Sequence, residues 1–269
     1  AKICAVAKPM PRAPPVIKTV FVICLKLPSV GVENCHAAIF YRDRAGVSLL
    51  FYASRIGLIH TQGRISMSEA TPERRSYFAA AAAFASGTDS PRQFLERCIA
   101  EITARDGDVK AFVATNFAAA RLAADAATER WAAGAQISPI DGMPVGVKDI
   151  METADMPTEQ GSALFKDWHG GRDCAAVAAL RDAGAIILGK TVTTEFAASA
   201  PNKTHNPWDL SRTPGGSSSG SAAAVGCGML PGATASQVIG STIRPASYCG
   251  AYGYKPSVGG INRGGSFDG

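Results

Sequence analysis

The chain has 269 residues, of which 46% are hydrophobic and 18% charged, with 27 Lys and Arg against 22 Asp and Glu. This composition excludes a disordered or low-complexity chain, and the length is enough to bury a core. The formal net charge of +5 does not describe the whole molecule: residues 1–66 carry nine Lys and Arg and two Asp and Glu, and the remainder carries 18 and 20.

Residues 1–66 are expected to be an atypical N-terminal extension, possessing Pro9, Pro11, Pro14 and Pro15, three of the seven cysteines and no motif. A natural start is expected at Met67, in Met67-Ser68-Glu69. The apolar stretches 16–27 and 47–59 are too short for a membrane span and are broken by Lys18, Lys26 and Arg55. An alanine-rich helix is expected over 77–86, stopped by Gly87. Ser90 as N-cap and Pro91 in the first helical position open a second helix. Its buried face is marked by Phe94, Leu95, Cys98, Ile99 and Ile102 at three- and four-residue steps. A third helix is expected over 117–133, ended by Gly134.

From there strands and helices alternate. A short strand over 145–147 delivers Lys148. A helix over 174–183, with Asp173 as N-cap and Gly184 as its stop, precedes an apolar strand over 185–188. A helix of small residues is expected over 218–226, and Ser241 follows a turn-rich stretch. This alternation predicts an α/β fold, a mixed β-sheet covered by helices. The body has no basic patch with interleaved aromatics, so no nucleic-acid partner is expected. Cys4, Cys24, Cys35, Cys98, Cys174, Cys227 and Cys249 show no metal-ligand spacing, which points to a reducing, cytoplasmic setting. His36, His60, His169 and His205 lie far apart, so no metal site is expected.

Three runs carry the chemistry: Gly146-Val147-Lys148-Asp149, Gly215-Gly216-Ser217-Ser218-Ser219-Gly220-Ser221, and Gln237-Val238-Ile239-Gly240-Ser241-Thr242-Ile243-Arg244. Taken singly each has an ordinary reading. Lys148 would be a surface charge. The glycine–serine run would be a flexible linker, and it is no phosphate loop because no Gly-Lys-Ser/Thr closes it. Together they supply a hydroxyl nucleophile and an amine base without any histidine. With Gly142-Met143-Pro144-Val145, Gly189-Lys190-Thr191, Asn206-Pro207-Trp208-Asp209, Cys249-Gly250 and Gly253-Tyr254-Lys255-Pro256, they occur in the order and spacing of one family. The chain resembles the amidase signature family of serine amidohydrolases over residues 67–269.

The resemblance implies a Ser–cis-Ser–Lys arrangement: Ser241 as nucleophile, Ser217 as relay across a cis Gly216–Ser217 bond, and Lys148 as base. It implies an oxyanion hole from the backbone N–H groups of Val238, Ile239, Gly240 and Ser241. Asp149, Ser218 and Arg244 would support the site, and Cys249 would be a packed thiol. The implied reaction is hydrolysis of a small-molecule carboxamide, with no cofactor and no metal, by an enzyme of a kind often found as a homodimer. Family members run well beyond residue 269, so 67–269 is expected to be the N-terminal part of a catalytic domain. An inactive remnant or interaction module is the first alternative. A component of a transfer-RNA amidotransferase is the second. It is disfavoured by the run from 237 to 244, which lacks the Asp-Thr-Gly-Gly-Ser-Ile-Arg usual there. Val238 also stands where a related branch has threonine.

Overall fold

The structure, a computed structural model, describes residues 75–257 and 260–266, together with the backbone of three strands between residues 19 and 52. Those strands are β1 (Thr19–Ile23), β2 (Ala37–Asp43) and β3 (Gly46–Tyr52). The expected boundary at Met67 lies outside the described residues.

The helical opening forms as its caps dictate. Helix α1 (Tyr77–Ala85) begins where Ser76 accepts from Ala79 N, and Gly87 leaves it at φ 71°. In α2 (Pro91–Val109), Ser90 accepts from Gln93 N and Pro91 occupies the first position. All five apolar residues expected on its inner face are buried. Tyr77, Phe84 and Phe94 meet edge to face, with ring centroids 5.7–6.1 Å apart, a favoured aromatic geometry. The chain then makes β4 (Phe112–Thr115), which the sequence reading missed, and α3 (Phe117–Ala132).

Next come β5 (Pro144–Lys148), α4 (Ala175–Asp182), β6 (Ile186–Thr191), α5 (Ser219–Gly226), β7 (Gly232–Ser236) and α6 (Ile243–Cys249). The expected N-cap of α4 is off by one residue. Cys174 holds that position, while Asp173 accepts from Ala154 N and pairs with Arg181 Nε at 2.9 Å.

The main sheet runs β1-β7-β5-β6-β4. Its centre is parallel, β5 pairing with β6 and with β7, and the outer pairings, β1 with β7 and β4 with β6, are antiparallel. The sheet is therefore mixed and flanked by helices, as expected. Helix α5 is buried along its whole length because its residues are small. A Cβ on Gly220 would stand 2.2 Å from Ala111 O, and one on Gly226 would stand 2.1 Å from Cys249 O. Only glycine permits these approaches. The same register places Lys148 opposite Thr191 and Lys190 opposite Val147. Strand alternation therefore sends Lys148 and Lys190 to opposite faces of the sheet.

Candidate active site

Lys148 closes β5 and is fully buried, so the reading of it as a surface charge fails. Its Nζ donates to Ser217 Oγ at 2.7 Å and to Ser236 Oγ at 2.6 Å. Its backbone N–H donates to Thr234 Oγ1 at 2.9 Å. Thr234 and Ser236 both belong to β7, so the neighbouring strand fixes both ends of this lysine.

The glycine–serine run is an ordered wall: Ser217, Ser218, Ser219 and Ser221 are all buried. The Gly216–Ser217 peptide bond is cis. Arg244 is an exposed residue, yet its Nε and Nη2 donate to Gly216 O at 3.1 and 2.7 Å. Ser218 Oγ donates to Ser236 O and accepts from Ser236 N, tying the run to β7.

Ser241 reaches this cluster through the backbone, Ser218 N donating to Ser241 O at 3.1 Å. The Ser241 hydroxyl has no hydrogen-bond partner among the described residues, and the residue is partly exposed. Upstream, Val238 is 52% and Ile239 95% exposed. Among the described residues no protein group accepts from the N–H of Val238, Ile239, Gly240 or Ser241. Next to this loop opens a cleft whose walls include Thr194, Asn202, Thr213, Gly216, Ser219 and Arg244.

Asp149 has Lys190 as its partner. Its carboxylate lies 3.3 Å from Lys190 Nζ, with both side chains fully buried, and it accepts from Glu159 N. Lys190 Nζ also donates to Met151 O at 2.9 Å, Pro157 O at 3.0 Å and Thr158 Oγ1 at 2.6 Å. Burial pushes the Asp149 carboxyl up to about 6 against the pull of Lys190, and burial lowers the Lys190 ammonium against the pull of Asp149. Asp149 thus anchors the segment that follows Lys148, with Lys190 as its partner. Cys249 is buried, its Sγ 3.5 Å from Pro214 O, and burial raises its thiol. It is a packed thiol.

Sequence reasoning missed three residues here. Ser236 lies in a strand of small residues with no motif around it. Lys190 stood in a recognised run, but only the β5–β6 register shows that it faces away from Lys148. Gln237 was read as a departure. In the structure its Oε1 accepts from Thr242 N and Ile243 N, each at 2.9 Å. It supplies the acceptor that the first turn of α6 needs, so an amide oxygen there opens the helix that follows Ser241.

Residues 93–268 match the Amidase family. Among curated relatives, a glutamyl-tRNA(Gln) amidotransferase subunit from Anaeromyxobacter sp. (strain K) is 42% identical over 190 residues, covering 68% of this chain and 39% of the relative. The protein of the same name from Chloroflexus aggregans (strain MD-66 / DSM 9485) is 39% identical over 191 residues, 69% of this chain and 39% of that one. The native peptide amidase from Stenotrophomonas maltophilia superposes with a TM-score of 0.67 at 30% identity, over 71% of this chain and 42% of its own. An inhibitor-bound vestigial complex, described as revealing the origins of an s-triazine catabolic enzyme, gives 0.68 at 34% identity, over 72% and 44%. The chain spans about two fifths of the length of these curated relatives. Their name is that of the alternative disfavoured by the run from 237 to 244. The family match, the shared fold and the ordered motifs agree that this chain belongs to the Amidase family.

Proposed function

We propose that this chain carries the nucleophile, relay and base of a cofactor-free amidase that hydrolyses a carboxamide to a carboxylic acid and ammonia or an amine. The observation that carries the reading is the buried Lys148 with its Nζ 2.7 Å from Ser217 Oγ. A base that must accept a proton at neutral pH has to be held out of water, where its ammonium form is disfavoured. Ser241 Oγ attacks the carbonyl carbon, and its proton passes through Ser217 to the neutral amine of Lys148. The unaccepted N–H groups of residues 238–241 receive the oxyanion, each such donor typically adding about a hundredfold to a thousandfold in rate. The C–N bond then breaks, the leaving amine takes the proton from Lys148, and Ser241 is left as an ester. Water splits the ester, the acid leaves, and the proton returns to Ser241. Arg244 holds the Gly216 carbonyl beside this relay, and Ser218 joins the relay loop to β7.

The substrate is a small-molecule amide, with no nucleic acid and no membrane as partner. The enzyme resides in the cytoplasm, in keeping with the scattered cysteines. Among the described residues no helix is long and apolar enough to cross a membrane. The test is labelling by a fluorophosphonate, which reacts with an activated serine. It compares this chain, its Ser241→Ala variant and a version extended to the length of the relatives. Labelling lost in Ser241→Ala, in either length, supports the reading. A folded protein that labels in neither form is an inactive remnant, and the reading fails.

The names of the curated relatives favour a second reading, an amidotransferase component that releases ammonia for a partner's use. Amide hydrolysis that needs added partner proteins would support it. Hydrolysis by the isolated protein at full rate would leave the free-standing amidase.

A further inference from the structure

The turn over residues 206–209 takes no part in the reaction proposed above, yet it is tied to the segment that performs it. Asn206 Nδ2 donates to Tyr248 O at 3.1 Å and to Thr213 O at 3.3 Å. Trp208 Nε1 donates to Cys249 O at 2.7 Å. Tyr248 and Cys249 end α6, where the last carbonyls have no partner within the helix. Asn206 Oδ1 accepts from Trp208 N at 3.0 Å, so the two side chains act as one unit. The indole also packs over Gly250, where a Cβ would come within 3.1 Å of Nε1.

The start of α6 is tied in turn. Arg244 donates twice to Gly216 O, and Gly216 follows Trp208 by eight residues. The path therefore closes on itself. It runs from Trp208 to the end of α6, along α6 to Arg244, across to Gly216, and back along the chain. Ser241 stands just before α6 and Ser217 just after Gly216, so both serines hang on this ring. Trp208 is 37% and Tyr248 51% exposed. Water could satisfy the carbonyl of the exposed Tyr248, but Cys249 is buried and its carbonyl takes the indole N–H, so the clasp holds the end of α6 in one geometry.

We infer that Asn206 and Trp208 are positioning residues that set Ser241 against Ser217 by clasping the C-terminus of α6 to the segment leading into Gly216. Neither touches the reacting atoms. The inference rests on the reading of Ser241 as the nucleophile.

The experiment is a double-mutant cycle on the rate of fluorophosphonate labelling of Ser241, in whichever of the two chain lengths labels. It uses Trp208→Phe, which keeps a ring over Gly250 and removes only the donor, Arg244→Ala, and the double variant. Trp208→Phe is expected to slow labelling about tenfold to a hundredfold, the scale of a small misplacement of reacting groups. The double variant is expected to be no slower than the slower single, because both act along one path. A Trp208 that only stabilised the fold would lower the melting temperature with the rate unchanged, or would multiply its effect with that of Arg244→Ala. Either result overturns the inference. If Trp208→Phe fails to fold, Asn206→Asp enters the same cycle with the same expectation. It keeps the acceptor for Trp208 N and sets a second acceptor against Tyr248 O. A folded wild type that does not label removes the Ser241 reading and this inference with it. Labelling with an additive cycle overturns the inference alone.

Discussion

Ser236 Oγ lies 2.6 Å from Lys148 Nζ, as close as the Ser217 hydroxyl on the same nitrogen at 2.7 Å. A buried amine with two hydroxyls on it is held in place, and removing one loosens that hold. Ser236→Ala is expected to keep the fold, since the site is tightly packed and alanine is smaller. It should slow labelling of Ser241 about tenfold or more. Labelling at the wild-type rate would show that Ser236 is not needed to hold the lysine.

Lys190→Met should be among the most damaging single changes. It leaves the Asp149 carboxylate buried with its cation gone, at a typical cost of about 3–5 kcal/mol. Adding Asp149→Asn should recover part of that loss, because the stranded charge disappears with it. Urea denaturation of the single and double variants measures both. A double variant no more stable than Lys190→Met alone would mean that the three neutral acceptors of the ammonium, not the charge pair, are what matter.

The same pair predicts a pH dependence. Asp149 is raised from 3.8 to about 6 in the folded chain by burial. The unfolded chain gives up that proton first, so its contribution to stability is complete below about pH 4 and is lost as pH rises through about 6. Subtracting the stability of Asp149→Asn from that of the wild type at each pH isolates this group. The difference should fall between about pH 4 and 6 and level off above. A difference that rises over that interval would place the folded carboxyl below its unfolded value.

Much of the fold could be read from local chemistry, because its helices are announced by residues that act within a turn. Ser90 with Pro91, Gly87, Gly134 and Gly184 each do their work against neighbours in sequence. What stayed hidden depends on distant partners. The strand β7 reads Gly-Ala-Thr-Ala-Ser, with no apolar run to mark it, and exists because β5 and β1 lie on either side. Helix α6 contains Pro245 in its first turn, where a missing N–H costs nothing, and so resembles a loop on paper. Lys148, Ser217 and Ser241 stand out in the sequence through their motifs. The contacts of Ser236 and Gln237 do not, since a hydroxyl on a lysine and an amide oxygen on a helix start are visible only once the chain is folded.

Gly220→Ala tests the packing beneath the site. A Cβ there would meet Ala111 O at 2.2 Å and Val192 N at 2.4 Å, both backbone atoms that cannot swing aside. Overpacking of this kind typically costs about 1–3 kcal/mol, and the upper end or beyond is expected. Thermal melting of the variant checks it. An unchanged melting point would mean that α5 can shift away from the sheet edge.

The burial of α5 also bears on how the cleft could diversify. Every residue of that helix is enclosed, and Ser219 at its start lines the cleft, so that part of the lining has little room for a larger side chain. Variation that tunes the shape or polarity of the cleft has more room around residues 198–202 and at Tyr248, where side chains border solvent. In a saturation library, tolerated substitutions would be sparse along 219–226 and crowded on that solvent-bordered rim. Directed evolution toward a new amide would accordingly gain most by randomising the rim and leaving the helix untouched.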